Sequence, residues 1–217
     1  MADFQKRRIL VLAPHTDDGE FGCGASIAKF LEEGAEVWYV AFSCAEESVP
    51  DHLPKNILEV EVKKATKILG IPEENLIILR YPVRKLNYFR QEILEDMVRI
   101  NREVQPDLVF TPSKYDVHQD HQTVTQEALR AFKFTSILGY ELPWNNYSFE
   151  TTCFIHLEER HVLAKLESLK CYRSQIGRKY ANVEYIKGLA LTRGVQVGGK
   201  YAETFNLLRW IIGTAEM

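Results

Sequence analysis

Four cysteines are scattered through 217 residues (Cys23, Cys44, Cys153 and Cys171), and no two of them stand in a C-x-x-C spacing. That excludes a disulfide scaffold and points to a reducing, cytoplasmic compartment. Long apolar runs are also missing. Ile9 to Ala13 is too short for a signal-peptide core, and no stretch nears the ~20 apolar residues that span a bilayer. Neither charge dominates: the formal net charge is -3, which leaves no electrostatic footprint for nucleic acid. Basic pairs such as Arg7-Arg8 and Lys63-Lys64 read as solvated faces. A third glycine is absent from Gly22-Cys23-Gly24, where Ile27 stands at the required offset. Close helix-sheet packing explains these glycines better than a dinucleotide loop does, and Cys23 reads as a small packing residue.

What is present is ordinary in bulk, 46% hydrophobic and 26% charged, and the length suits one domain over residues 1–217. Strand and helix patterns alternate. Arg8–Ala13 reads as a buried strand, Gly24–Glu33 as a helix ended by Gly34, and Glu36–Ser43 as a second strand. Ile57–Leu69 is a helix closed by Gly70 and Pro72, Leu76–Leu79 a strand, and Phe89–Val104 a helix. Leu108–Thr111 is the fourth strand and Thr123–Phe132 the fourth helix. Such alternation predicts an α/β fold of βαβ units with a parallel sheet and helices on both faces. After residue 135 the pattern loosens: Thr152–Leu157 reads as a strand, Glu159–Cys171 as a helix, and Phe205–Ile212 as a terminal amphipathic segment.

Two short motifs follow the first and fourth predicted strands: His15-Thr16-Asp17-Asp18 and His118-Gln119-Asp120-His121. Ligands of open α/β sheets bind outside the carboxyl ends of strands, so two loops distant in sequence can meet there. His15 and Asp18 are three residues apart, as are His118 and His121, which puts each pair on one side of a turn or first helical turn. Two imidazoles and one carboxylate suit zinc with one position left for water, and iron or cobalt accepts the same set. Asp17 diverges from its neighbour Asp18 and is placed to be a general base on water whose pKa the metal lowers toward ~7. On the residues alone, His121, which opens onto the following helix, and His118 remain alternatives for the third ligand. The other imidazole would steady an oxyanion and protonate a leaving amine. Asp120 suits the partner of an imidazole. Each motif alone has an ordinary explanation as a cap or turn; the pair together does not. His52, His156 and His161 have no sequence partners and read as surface or structural residues.

Pro14 to Gly24 resembles the first signature of the zinc-dependent PIG-L/LmbE-like N-deacetylases, and His118 to His121 their second. The likeness extends through Glu61–Gly70, Tyr172–Gln175, Arg193–Gln196 and Tyr201–Phe205. It implies a Rossmann-like three-layer fold and removal of acetyl from an N-acetylated sugar or conjugate, nucleotide-linked ones included. By position it implies Zn2+ on His15, Asp18 and His121, Asp17 as base, and His118 stabilising the tetrahedral intermediate. It also implies that Arg193, at a glycine-flanked turn, lies close to the pocket. There are departures: Leu58 stands where many relatives carry arginine, Val83 near a usual acidic position, and Tyr172 where histidine is frequent. Arg84, Lys85 and Arg193 are candidate contacts for a substrate phosphate or carboxylate, and Trp144, within Glu141–Tyr147, a candidate wall for a sugar face. The expected partner is a small N-acetylated sugar, with no nucleic acid and no membrane span, and the oligomeric state is left open, a homo-oligomer included. Rival readings are an amidase for thiol conjugates or other small amides, and a non-catalytic metal-dependent sugar-binding module.

Overall fold

The computed structural model describes residues 6–175 and 177–213. Its strands are β1 (Arg8–His15), β2 (Glu36–Ser43), β3 (Leu76–Ile78), β4 (Leu108–Pro112), β5 (Ser136–Tyr140), β6 (Cys153–Leu157) and β7 (Tyr201–Arg209). Its helices are α1 (Asp18–Glu32), α2 (Ile57–Leu69), α3 (Arg90–Val104), α4 (Gln119–Ala131), α5 (Glu159–Leu169) and α6 (Val183–Gln196). One sheet runs β3-β2-β1-β4-β5-β7-β6, parallel as far as β5 and antiparallel on both sides of β7. Among the described residues no helix is long and apolar enough to cross a membrane.

Burial on both faces explains why β1 is apolar almost throughout. Ile9, Val11 and Ala13 belong to the core shared with α1, α2 and α5, while Leu10 and Leu12 belong to the core shared with α3 and α4. The chain lays down β1, β2 and β3 outward, then returns to place β4 on the other side of β1. The strand order therefore reverses between β1 and β4, the position at which open α/β sheets bind ligands.

Three expectations need correction. The first helix begins at Asp18, not Gly24, because the motif itself forms its first turns, with the ionised Asp18 matched to the positive helix N-terminus. The loosely patterned region holds β5 and α6, neither of which the periodicity reveals. Arg193 consequently lies in the last turn of a helix, not at a glycine-flanked turn. The terminal segment is a strand, β7, inserted between β5 and β6.

α1 is kinked at Cys23, which has non-helical φ -145° and ψ 20°. A buried ion pair takes up the backbone groups at this break. Lys165 Nζ donates to the Phe21 carbonyl at 2.6 Å and to Glu203 Oε1 at 2.7 Å. Glu203 in turn accepts from the Ala25 and Ser26 amides at 3.2 and 2.7 Å and from Ser26 Oγ at 2.6 Å. Just before the kink, a Cβ on Gly22 would lie 2.3 Å from Cδ2 of the buried Tyr140 ring. The helix meets the sheet too closely there for any side chain.

Candidate metal centre and catalytic cleft

β1 ends at His15 and α1 begins at Asp18, so the two-residue turn of Thr16 and Asp17 sets His15, Asp17 and Asp18 together over the sheet edge. Beside it, the segment after β4 leads to His118, the N-cap of α4, and to His121 in that helix's first turn. The two motifs converge. His15 Nδ1 lies 3.1 Å from Asp18 Oδ2, His121 Nε2 lies 3.2 Å from the same oxygen, and the two nitrogens are 3.2 Å apart. Ring nitrogens of His15, His118 and His121 lie within 4.8 Å of one another, close enough that the three could hold a metal ion.

The outer nitrogens of both inner imidazoles face carboxylates. His121 Nδ1 donates to Asp116 Oδ2 at 2.7 Å and His15 Nε2 donates to Asp120 Oδ2 at 3.0 Å. A carboxylate only accepts, so these contacts place a hydrogen on each outer nitrogen and turn the lone pairs of His15 Nδ1 and His121 Nε2 inward. Asp120 also accepts from the Arg84 and Leu86 amides at 2.6 and 3.2 Å, and Asp116 from the His118 amide at 2.8 Å. An ion ~2.1 Å from atoms spaced 3.1–3.2 Å apart would see them at about 100°. The donor set therefore fits a divalent cation with room for further ligands.

Without such an ion the triangle is electrostatically tense. Burial pulls the His15 and His121 pKa values down, but Asp18 and the outer carboxylates prevail and raise them to about 9 and about 10. Burial pushes Asp18 upward, yet the two imidazoles hold it well below the usual carboxylate range. Asp17 is raised to about 6, by burial first and the Asp18 charge second. His118 falls to about 4 through burial and the charges of His121 and His15. Its Nδ1 accepts from the Asp120 amide at 3.2 Å, so in the neutral ring the hydrogen sits on Nε2.

The triangle opens into a cavity of about 300 Å³, which Asp17, Asp18 and all three motif histidines line. Trp144 also lines it, stacked on Tyr180 with centroids 4.2 Å apart and planes 13° from parallel. Leu58 and Val83, two of the three departures named above, contribute apolar lining. Tyr172 lies beneath, its hydroxyl against the Thr16 carbonyl at 2.6 Å and buried Glu20 at 2.8 Å.

Residues 10–132 match the family described as PIG-L, GlcNAc-PI de-N-acetylase. The chain belongs to the PIG-L family. It is 30% identical over 176 residues to an uncharacterized deacetylase, YaiS, of Escherichia coli K12, covering 78% of this chain and 92% of that one. A diacetylchitobiose deacetylase of Thermococcus kodakarensis is 23% identical over 221 residues, covering 91% of this chain and 81% of its own. Among solved structures, the N,N'-diacetylchitobiose deacetylase of Pyrococcus horikoshii superposes with a TM-score of 0.77 at 25% identity, covering 93% of this chain and 84% of that one.

Three of the expected substrate contacts are not brought to this PIG-L cavity. The Arg193 guanidinium is closed onto Glu141 and lines a neighbouring hollow instead. Arg84 offers its backbone amide to Asp120, from a left-handed φ of 65°, and its side chain is not among the lining groups; nor is Lys85, which pairs with Glu47. His161 is structural, as its isolation in sequence suggests: it completes the capping box of α5 and contacts Glu32. Sequence reasoning missed Asp116, which holds the His121 ring, and Arg178, which lines the cavity. An isolated acid in a loop and an arginine among several carry no spacing signal; the fold alone brings them to the site.

Proposed function

We propose that this PIG-L family chain is a zinc-dependent N-deacetylase acting on an N-acetylated sugar or sugar conjugate, with His15, Asp18 and His121 as the metal ligands. The observation that carries the reading is the inward-facing triangle of His15 Nδ1, Asp18 Oδ2 and His121 Nε2, opening beside Asp17 into a cavity. Relatives named as deacetylases of chitobiose support the substrate class. When bound, the cation supplies Lewis acidity, lowering the pKa of water toward ~7 and polarising the acetamide carbonyl.

The remaining steps belong to side chains of this protein. Asp17, raised to about 6, is ionised at neutral pH yet basic enough to take a proton from the attacking water. It then holds that proton for the departing amine. His118, neutral at the same pH, presents its Nε2 hydrogen to the carbonyl oxygen as negative charge gathers there. Asp116 and Asp120 fix the tautomers of the two ligand imidazoles. The Trp144–Tyr180 stack offers a flat aromatic face to the apolar side of a sugar ring.

Acetate release from N-acetylglucosamine and diacetylchitobiose, with and without chelator, tests this function. Multiple turnover that chelator abolishes and zinc restores is the expected result. No acetate from any N-acetylated sugar, or turnover indifferent to chelator, overturns it. Including amide conjugates of thiols in the panel separates the amidase reading.

A further inference from the structure

The residue that opens α1 does not cap it. The Asp17 carbonyl accepts the first helical bond, from the Phe21 amide at 3.1 Å, so Asp17 is the N-cap of the helix. Aspartate is favoured at that position because its carboxylate accepts an amide of the first turn, two or three residues on. Here the Asp17 side chain makes no such bond. The Gly19 amide, two residues on, donates instead to the hydroxyl of Tyr39 at 3.1 Å.

Tyr39 is wholly buried and belongs to β2, in register with Val11 of β1. A Cβ on Gly19 would stand 2.5 Å from Cε2 of its ring and 2.6 Å from its oxygen, so the phenol is pressed against the backbone of the turn. The same hydroxyl lies 2.9 Å from the Thr16 carbonyl, and the Tyr172 hydroxyl lies 2.6 Å from that carbonyl. A carbonyl only accepts, so the hydrogens in these two contacts come from the phenols. Both phenols also touch the buried Glu20 carboxyl, which burial pushes up to about 8 and so keeps protonated at neutral pH. Tyr39 thus accepts from Gly19 and donates to Thr16, and one oxygen atom ties down the backbone on both sides of Asp17. The Asp17 carboxylate, released from the helix, is left to the cavity it lines.

We propose that Tyr39 is a positioning residue for the reaction: by taking the Gly19 amide it keeps the Asp17 carboxylate off the N-terminus of α1 and available to water at the metal centre. This rests on the function proposed above, in which Asp17 is the base. A carboxylate that capped its own helix would be held by a charge-assisted bond, turned from the reacting water and less basic.

Tyr39→Phe keeps the ring and removes the oxygen, so the Gly19 amide loses its acceptor and the Asp17 carboxylate is the group in position to replace it. With zinc bound and diacetylchitobiose as substrate, this variant should lose about tenfold or more in kcat, within the span of general-base catalysis, while KM and zinc content hold. Melting of a four-member cycle with Asp17→Ala, in zinc and in chelator, reads the capping directly. Asp17→Ala should not lower the melting temperature of the chelated wild type, but should lower that of Tyr39→Phe by roughly 2–4 °C, the scale of one lost cap. Tyr172→Phe loses a bond to the same carbonyl yet leaves the Gly19 amide occupied. It should cost less kcat, and Asp17→Ala should be as silent in it as in the wild type.

An unchanged kcat in Tyr39→Phe, or an Asp17→Ala effect on melting that is equal in both backgrounds, overturns the proposal. If Tyr39→Phe does not fold, Asp17→Ala in the otherwise unchanged protein decides: a melting temperature lowered by the amount of a lost cap would mean that the carboxylate already serves the helix. Absence of acetate release from the wild type would refute the activity, while the melting cycle judges Tyr39 separately.

Discussion

Loading the candidate metal centre should expel two protons for each ion. In the metal-free protein His15 and His121 have pKa values of about 9 and about 10, so both imidazoles are cationic at pH 7. Their inner nitrogens then point hydrogens at Asp18, where a metal needs lone pairs. Two imidazolium rings among Asp18, Asp116 and Asp120 leave one net negative charge. Two neutral rings and one divalent cation leave the same, so protons and metal compete for one electrostatic vacancy. Between pH 7 and 8.5 both protons must leave, and affinity should rise about 100-fold per pH unit, or ~2.7 kcal/mol. The dependence should flatten as pH passes about 10, where both rings are already neutral. Zinc titrations at pH 7.5 in buffers of different ionisation enthalpy count the protons directly. Asp116→Asn removes a negative charge that helps hold His121 protonated. The count should then fall toward one, and affinity at pH 8.5 should weaken roughly 10–100-fold. One proton or none released by the wild type would refute the reasoning.

Asp17→Asn should nearly abolish turnover while zinc content, measured by elemental analysis, stays at one equivalent. In the wild type kcat/KM should fall as pH drops through about 6 or lower, because the base must be ionised and a bound cation can only favour ionisation. A flat acid limb down to pH 4 would exclude Asp17 as that base. Glu203→Gln leaves Lys165 charged and buried, at a cost of ~3–5 kcal/mol, which calorimetry should record as a melting point lower by roughly 10 °C. Gly22→Ala drives a methyl group into Tyr140, whose hydroxyl is tied to the Leu12 carbonyl at 3.0 Å, and should cost ~1–3 kcal/mol in denaturant unfolding.

The half of the molecule from β1 to α4 was legible because βαβ units announce themselves twice, through apolar strands and capped amphipathic helices. Once β1 and β4 are neighbours, convergence of the loops that follow them is a consequence of the strand order. α6 was hidden because Val183, Tyr185, Leu191 and Val195 are exposed, so its apolar residues do not gather into one stripe. β5 escaped because five fully buried residues carry no alternation. Asp116 takes on meaning only when the chain turns back from β4 and brings its carboxylate under His121. Arg84 and Arg193 were the natural choices for an anion contact by position, but fold geometry commits one to backbone duty and the other to Glu141.

The interrupted first helix has one further consequence. Most buried ion pairs can be exchanged for well-packed apolar residues with little loss. Lys165 and Glu203 should resist that exchange, because an aliphatic pair would strand the Phe21 carbonyl and the Ala25 and Ser26 amides, each worth about 1–3 kcal/mol when orphaned. The two positions can drift neither singly nor together. Phe21 is three residues from Asp18, so fidelity at the catalytic end of the chain is underwritten from α5 and β7, far along the polypeptide.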